Sequence, residues 1–242
     1  KLALKGDPDS FNKKPSRTPE LTNIGSFEKC WRLENGSWWM YKSGNDNQIF
    51  SELFIYQLGK CIGFNMAEYQ YADGYIRTKD FTDGKVNFEP ISSVMGDNED
   101  YNDNFNYFNS ISKDIAADYL KLIYLDTVCY NMDRHTNNYG LIRDIISGDI
   151  ISLAPNYDNN IALIANGYPS DVTREKDGLM KFFFEFIDNN LQAKQMFKSL
   201  DIPAITKDMI ETCLEKIPIS VDKNFIISFI LNAQKIIKNH ID

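Results

Sequence analysis

The sequence of 242 residues has little histidine, little cysteine and no long apolar run. Its two histidines, His135 and His240, cannot form a histidine-rich metal site. The four cysteines are scattered and form no CxxC pair, which favours free buried thiols of a cytosolic protein over a disulfide framework. Because no apolar run is long enough to span a bilayer or to form the core of a secretory signal, we expect no membrane association.

The charge balance is acidic, with a formal net charge of −8, and this argues against broad attraction to nucleic acid or to an anionic membrane. Hydrophobic residues at 43% and charged residues at 25% are ordinary for a globular protein, and 13% aromatic residues argue against disorder. The length allows a sizeable core in one domain or in two small lobes. Since the chain begins at Lys1 rather than Met, we expect further residues to precede it in the natural protein.

The first third of the chain reads as strands around one helix. After an irregular lead-in over residues 1–20, two strand-like segments flank the turn at residues 34–37. The apolar positions of residues 48–62 predict a helix. A hairpin is predicted over residues 66–81 because Asp-Gly at 73–74 separates two alternating segments.

The remainder is mostly helical in pattern. Residues 97–109 predict a long surface connection or short helices, and residues 115–130 predict a long helix. A second hairpin is predicted over residues 139–153. Further helices are predicted over residues 178–190, 191–200, 206–217 and 222–240. The order predicts an α+β fold, with a small β-rich half that contains one helix and a larger helical half that begins near residues 81–85.

A polar stretch after the long predicted helix carries the residues most suited to chemistry. It reads Asn131-Met-Asp-Arg-His-Thr-Asn-Asn138. Phosphoryl transfer needs a proton acceptor for the incoming hydroxyl and hard oxygen ligands for magnesium. Asp133 and Asn138 have the spacing that protein kinases use between the base and a metal-binding Asn. Asp158 follows the next predicted hairpin, where a kinase places its second metal ligand.

Two residues earlier in the chain complete the set of polar residues, in the order in which kinases have them. Lys42 ends a predicted strand, and Glu52 lies early in the following helix, where it could form an ion pair with Lys42. Lys29 is a rival for the phosphate-binding lysine. We prefer Lys42 because it follows an apolar strand. The alternative is that Lys42 binds no phosphate and is an ordinary strand-end lysine, whose apolar stem lies on the sheet while its charged end reaches water.

Four segments together resemble the HipA-like serine/threonine kinases, especially the short forms that include a bacterial effector kinase. The matching segments are residues 51–53 with 57–63, Arg77-Thr-Lys-Asp-Phe81, residues 131–138 and Leu153-Ala-Pro-Asn-Tyr-Asp158. The resemblance extends over residues 20–190. It implies a bilobal protein-kinase-like fold, with an N-lobe at residues 1–82 and a helical C-lobe at residues 83–242.

The resemblance implies a role for each matching residue. Asp133 would be the catalytic base, Asn138 and Asp158 would bind Mg²⁺, and Glu52 would orient Lys42 towards the phosphates of ATP. The backbone of Thr78, Lys79, Asp80 and Phe81 would form the hinge that reads adenine. Thr22, Gly25 and Ser26 would belong to the loop on the phosphate side. In HipA-like kinases that loop carries an autophosphorylated serine, so Ser26 is either such a site or an ordinary turn serine.

Structural roles are expected for three further residues in or near the loop at residues 131–138. His135 has no second histidine near it in the sequence and is expected to hydrogen-bond within the loop. Arg134 is expected either to bind a phosphate or to brace the loop. Asp126 lies on the apolar face of its helix, where an unpaired carboxylate is costly, so it is expected to anchor the loop, for example through backbone amides.

The sequence departs from general kinases in two places. The phosphate-side loop has one glycine, Gly25, and lacks GxGxxG, and Asn-Tyr-Asp stands where Asp-Phe-Gly is usual. HipA-like kinases also depart from the glycine pattern. The extra N-terminal subdomain of full-length HipA has no counterpart, which puts dependence on a HipB-type partner in doubt.

We therefore expect an ATP- and Mg²⁺-dependent serine/threonine protein kinase that is cytoplasmic, with secretion as an effector as the open alternative. Its expected partners are a protein substrate and either an antitoxin or a host protein, with no nucleic acid. A kinase acting on a lipid or small molecule is one rival, because Asp-Arg-His-x-x-Asn also resembles phosphoinositide-kinase loops. A non-catalytic pseudokinase-like binding module is the other.

Overall fold

The computed structural model describes residues 28–241, and all structural statements concern that part of the chain. Its strands are β1 (Lys29–Glu34), β2 (Ser37–Lys42), β3 (Tyr69–Ala72), β4 (Tyr75–Lys79), β5 (Val86–Pro90), β6 (Gly140–Asp144) and β7 (Ile150–Leu153). Its helices are α1 (Asp46–Cys61), α2 (Ser92–Met95), α3 (Tyr101–Ile111), α4 (Lys113–Cys129), α5 (Gly178–Asn189), α6 (Leu191–Ser199), α7 (Lys207–Glu215) and α8 (Lys223–Ile241). None of these helices has the length and apolarity needed to cross a membrane.

The first sheet is antiparallel, with strand order β1-β2-β4-β3. Both of its hairpins close through two residues with positive φ. These are Asn35 (50°) with Gly36 (81°), and Asp73 (45°) with Gly74 (85°). Two consecutive positive φ values match the right-handed twist of the flanking strands, and Asn-Gly and Asp-Gly tolerate them well. The predicted strands around the turn at residues 34–37 and the predicted hairpin over residues 66–81 are confirmed.

The two faces of this sheet have different characters. The strand register places Lys29 opposite Lys42, and Met40 opposite Thr78, so these side chains share one face. The other face buries a small cluster built on Cys30, Trp39 and Tyr41. Lys29, Lys42 and Thr78 therefore lie on the face of the sheet that is directed towards α1 and the main core.

Helix α1 begins with a capping box, in which the Asn45 side chain accepts from Gln48 N and the Gln48 side chain accepts from Asn45 N. It is buried on most of its surface because it packs against β3 on one side and α7 on another. Its observed bounds agree with the predicted helix at residues 48–62. This packing takes Glu52 into the interior, where it is 0% exposed.

The second sheet, of order β5-β6-β7, contains a strand that the sequence did not predict. Strand β5 pairs with β6 along its whole length, which places the chain just after Phe81 against the second predicted hairpin. Gly140 allows this pairing, because a Cβ there would lie 2.1 Å from the Glu89 carbonyl oxygen.

Of the two alternatives for residues 97–109, the helical one is confirmed, since α3 buries Phe105 and Phe108.

The main core extends from α1 through α4 to α8. Helix α4, predicted at residues 115–130, is its centre and buries most of its side chains. It ends at Tyr130 with a left-handed φ of 57°, and this turn directs the chain into residues 131–138. A small antiparallel sheet with one helix, followed by a mostly helical remainder, confirms the predicted α+β class. The division at residue 82 stays a prediction.

Candidate active site

The loop at residues 131–138 is held in a compact conformation by its own backbone. Asn131 N donates to Asp126 O (2.9 Å), His135 N to Asp133 O (2.9 Å) and Asn138 N to His135 O (2.8 Å). The Asp133 carboxylate is partly exposed and makes no hydrogen bond or ion pair with any residue in the described part of the chain. It is therefore free to accept a proton from a group that approaches the loop.

Arg134 braces this loop from the inside. It is 8% exposed, and its guanidinium forms a two-pronged pair with Asp126, through Nε to Oδ2 at 2.8 Å and Nη2 to Oδ1 at 2.9 Å. Its Nη1 donates to the carbonyl oxygens of Asn138 (2.7 Å) and Tyr157 (2.6 Å). Its Nη2 also donates to Oδ1 of Asn159 at 2.7 Å. One side chain thus ties α4, the loop and the segment around Asp158 together.

These contacts decide between the two roles expected for Arg134. Every N–H direction of its guanidinium is used within the protein, and this supports the role of bracing the loop over that of binding a phosphate. Burial lowers the pKa of Arg134, but Asp126 more than offsets this, so the pKa is raised and the group stays charged. Asp126 anchors the loop as expected. It does so through the guanidinium and the Asn131 side-chain amide (2.9 Å), and its carboxylate accepts from no backbone amide among the described residues.

Asn138 is oriented with its amide oxygen free. Its Nδ2 donates to the Asp133 carbonyl oxygen at 2.9 Å, which leaves Oδ1 available as a ligand. His135 accepts from Asn137 N at Nδ1 (3.3 Å), which agrees with a hydrogen-bonding role inside the loop.

Lys42, Glu52 and Asp158 meet at the inner face of the first sheet. Lys42 is 4% exposed, its Nζ pairs closely with Asp158 Oδ1, and it lies 3.7 Å from Glu52 Oε2. The structure therefore brings together a lysine and two carboxylates that are far apart in the sequence. Lys29, the rival lysine, is the register partner of Lys42 and shares its face, but it makes no ion pair within residues 28–241.

Burial affects the two carboxylates differently. Burial raises the pKa of Glu52 above its usual range, against the opposing charge of Lys42. Burial also raises the pKa of Asp158, but Lys42 and Lys29 outweigh it and hold the pKa below its usual range. We consider Asp158 ionised at neutral pH because Lys42 lies against it, whereas Glu52 is further from that charge.

The segment around Asp158 is fixed by contacts from both halves of the chain. Asp158 has a left-handed φ of 59°, and its N–H donates to the Tyr69 hydroxyl at 3.0 Å. The N–H of Asn159 donates to Glu52 Oε1 at 2.7 Å. Glu52 thus holds Lys42 and the backbone next to Asp158 at the same time. Sequence reasoning missed Tyr69 and Asn159, and the only signal was that Asn159 directly follows Asp158.

The oxygens present suit a magnesium ion better than a metal that needs an all-protein cage. Asp158 Oδ and the free Asn138 Oδ1 are hard ligands, and Mg²⁺ commonly uses one or two such groups together with phosphate oxygens and water. Within residues 28–241 no group of three or more His, Cys, Asp and Glu side chains could hold a metal by itself.

The predicted hinge begins within β4, which contains Thr78 and Lys79, and continues to Phe81. The N–H groups of Lys79 and Asp80 donate to Glu68 O (3.1 Å) and Trp38 O (2.9 Å), so they are already used within the sheet. Phe81 N–H has no acceptor among the described residues, and the Thr78 hydroxyl is buried without a hydrogen bond. The Phe81 ring packs against Tyr157, with centroids 5.7 Å apart, beside Asp158. Thr22, Gly25 and Ser26 lie outside the described residues.

No family model matches the chain, and neither does any curated protein sequence. Among solved structures, the chain is similar to the proinflammatory kinase CtkA of Helicobacter pylori, with a TM-score of 0.64 and 16% identity over 89% of this chain and 97% of that one. It also matches HipA of Shewanella oneidensis MR-1, solved with HipB and its operator DNA, with a TM-score of 0.46 and 14% identity over 91% of this chain and 66% of that one. The similarity to CtkA shows that the chain has a CtkA-like kinase fold, which confirms the predicted fold.

Proposed function

We propose that this protein is an ATP-dependent serine/threonine protein kinase of the HipA-like type. The observation that carries the proposal is the cluster of Lys42 with Glu52 and Asp158 (Lys42 Nζ to Glu52 Oε2, 3.7 Å), joined by Arg134 to the loop that presents Asp133. Phosphoryl transfer depends on positioning and charge neutralisation, and these residues can supply both. The CtkA-like fold supports the same conclusion.

Each residue then has a definite task. Asp133 would accept the hydroxyl proton of the acceptor, because its carboxylate is uncommitted. Asn138 and Asp158 would hold Mg²⁺, which supplies neutralising charge to the phosphates when bound. Lys42 would hold the phosphates of ATP, and Glu52 would keep its ammonium in place.

The adenine end of the nucleotide would lie along the hinge. Phe81 N–H and the carbonyl oxygens of residues 79–81 are the backbone groups that remain for it, and the unpartnered hydroxyl of Thr78 lies on the same sheet face as Lys42. Thr22, Gly25 and Ser26 stay predicted as the phosphate-side loop on sequence grounds alone. An antitoxin or host-protein partner and a cytoplasmic location also stay predictions.

A transfer assay with γ-labelled ATP and Mg²⁺ tests the proposal against both rivals. The purified protein is incubated separately with casein or myelin basic protein and with phosphoinositide vesicles, and labelled residues are identified. Label on serine or threonine supports the proposal, and label on lipid alone would replace it with a lipid kinase. Binding of Mg-ATP without transfer to protein, lipid or the chain itself would favour a binding module.

The matched variants are Lys42→Met and Lys29→Met, which remove the same charge from register partners on one sheet face. Lys42→Met should reduce transfer by about a hundredfold or more, since it removes a cation that stabilises the transferring phosphoryl group. Lys29→Met should retain the larger part of the activity. Equal loss in both variants would contradict the assignment of Lys42.

A further inference from the structure

A cavity of about 740 Å³ opens beside the loop that carries Asp133, and nothing above assigns it a role. Asn131, Met132 and Arg134 form one wall, so two of the lining residues directly flank Asp133. The opposite walls come from the start of α3 and the exposed side of α5. Neither Lys42 nor Asp158 lines it, so it is distinct from the predicted phosphate site.

The cavity presents two large apolar side chains that no residue in the described part of the chain covers. Met132 is 58% exposed and Phe182 is 60% exposed, and both line it together with Leu179 and Phe186. Isolated exposed apolar residues are ordinary, but two large ones in a single concavity are typical of a surface that binds another molecule. We name this concavity the α3–α5 groove.

The rim of the α3–α5 groove is acidic. Its carboxylates are Glu99, Asp100, Asp103 and Glu185. The one cation in the lining, Arg134, is already paired with Asp126, so it does not neutralise this rim. Carboxylates alone would be a solvated surface. Here they surround an apolar concavity next to the proposed base, and this combination specifies both the charge and the position of an occupant.

We propose that the α3–α5 groove binds a basic segment of the acceptor protein, in which Lys or Arg residues and one bulky apolar residue lie close to the phosphorylated hydroxyl. The statement that the bound segment belongs to the phosphate acceptor rests on the proposed function, whereas the binding of a basic segment does not. Charge complementarity excludes an acidic or nucleic-acid occupant, and the apolar floor distinguishes the groove from a purely electrostatic patch.

A binding measurement tests the groove directly. Two fluorescein-labelled peptides share one Ser and one Leu, and differ in that one has Arg and Lys where the other has Gln. The groove variant is Glu99→Gln/Asp103→Asn/Glu185→Gln, which leaves Asp100 unchanged because its side chain caps α3. The control variant, Asp208→Asn/Glu211→Gln/Glu215→Gln, removes the same charge from α7, outside the groove.

We expect wild type and the α7 variant to bind the basic peptide about tenfold more tightly than the neutral one in fluorescence anisotropy, because the four rim carboxylates together supply that factor. The groove variant, which keeps only Asp100, should lose most of the difference. A Phe182→Ser variant should weaken both peptides and keep their ratio, since it removes apolar contact rather than charge. Equal binding of both peptides by wild type, or equal loss in the α7 variant, would overturn the proposal.

Transfer of labelled phosphate to the serine of the same peptides separates this proposal from the function on which it rests. Discrimination in binding without transfer would leave the groove standing and remove the kinase assignment. Transfer without any preference in binding would leave the kinase and remove the groove. The expected result is transfer to the basic peptide with a lower KM, and a KM for ATP that the groove variant leaves unchanged.

Discussion

Removing the charge of Asp126 should destabilise the protein far more than its small change in size suggests. In Asp126→Asn the guanidinium of Arg134 keeps its buried position but loses the carboxylate that holds it at 2.8 Å and 2.9 Å. Breaking a buried ion pair in this way costs about 3–5 kcal/mol, because one buried charge is left without its partner. For a domain of this size that corresponds to a fall in Tm of about 6–20 °C.

Asp118→Asn provides the matched control, because it makes the same substitution on the same helix. Asp118 pairs with Lys121 at 2.8 Å, but both side chains are about a third exposed, so we expect a loss of under about 0.5 kcal/mol. Urea unfolding of wild type and both variants, followed by tryptophan fluorescence and circular dichroism, measures the difference. If Asp126→Asn cost no more than Asp118→Asn, the account of Arg134 as the internal brace would be wrong.

A double variant, Asp126→Asn/Arg134→Gln, extends the test. Since it removes both charges, it should be less destabilised than the sum of the single variants by about 0.5–3 kcal/mol. Strict additivity would mean that the two groups do not act as a pair.

Three further predictions follow from other parts of the chain. Gly140→Ala should destabilise the fold by about 2 kcal/mol or more in urea unfolding, since its Cβ would lie 2.1 Å from a carbonyl oxygen, whereas Gly178→Ala, with no atom in contact, should be close to neutral. Burial raises the pKa of the Cys213 thiol to about 12, so iodoacetamide at pH 8 should leave it unmodified in native protein and label it after denaturation. Phosphorylation of Ser26 after incubation with Mg-ATP should be detectable by mass spectrometry, and an active enzyme with unmodified Ser26 would end that hypothesis.

The elements that sequence patterns predicted correctly are those whose signals are local. The first two hairpins follow from Asn-Gly and Asp-Gly at positions with positive φ, and α4 follows from apolar residues at helical spacing. Strand β5 was missed because it is short and ends in Pro90, which weakens the strand signal that the alternation Val86-Asn-Phe-Glu would otherwise give. It becomes a strand by pairing with β6, fifty residues or more later in the chain. A short segment with so distant a partner gives only a weak local signal.

Prediction of the candidate site from the sequence has the same limit, because local patterns do not reveal contacts between distant segments. Residue order indicated which side chains belong together, and the structure brings Lys42, Glu52 and Asp158 into contact. The brace was harder to predict, because Asp126 was recognisable as a buried carboxylate while its partner was not. The contacts of Arg134 with Asn138 and Tyr157 join segments that only the tertiary fold places together.

The central claim is that Asp133 is the base of a phosphoryl-transfer site. The most direct measurement compares wild type, Asp133→Asn and the exposed control Asp149→Asn for transfer of γ-phosphate and for binding of Mg-ATP by isothermal titration calorimetry. We predict that Asp133→Asn lowers transfer by about 10²–10⁴-fold while its Kd for Mg-ATP stays within a few-fold of wild type, and that Asp149→Asn changes neither. Full transfer by Asp133→Asn would contradict the account.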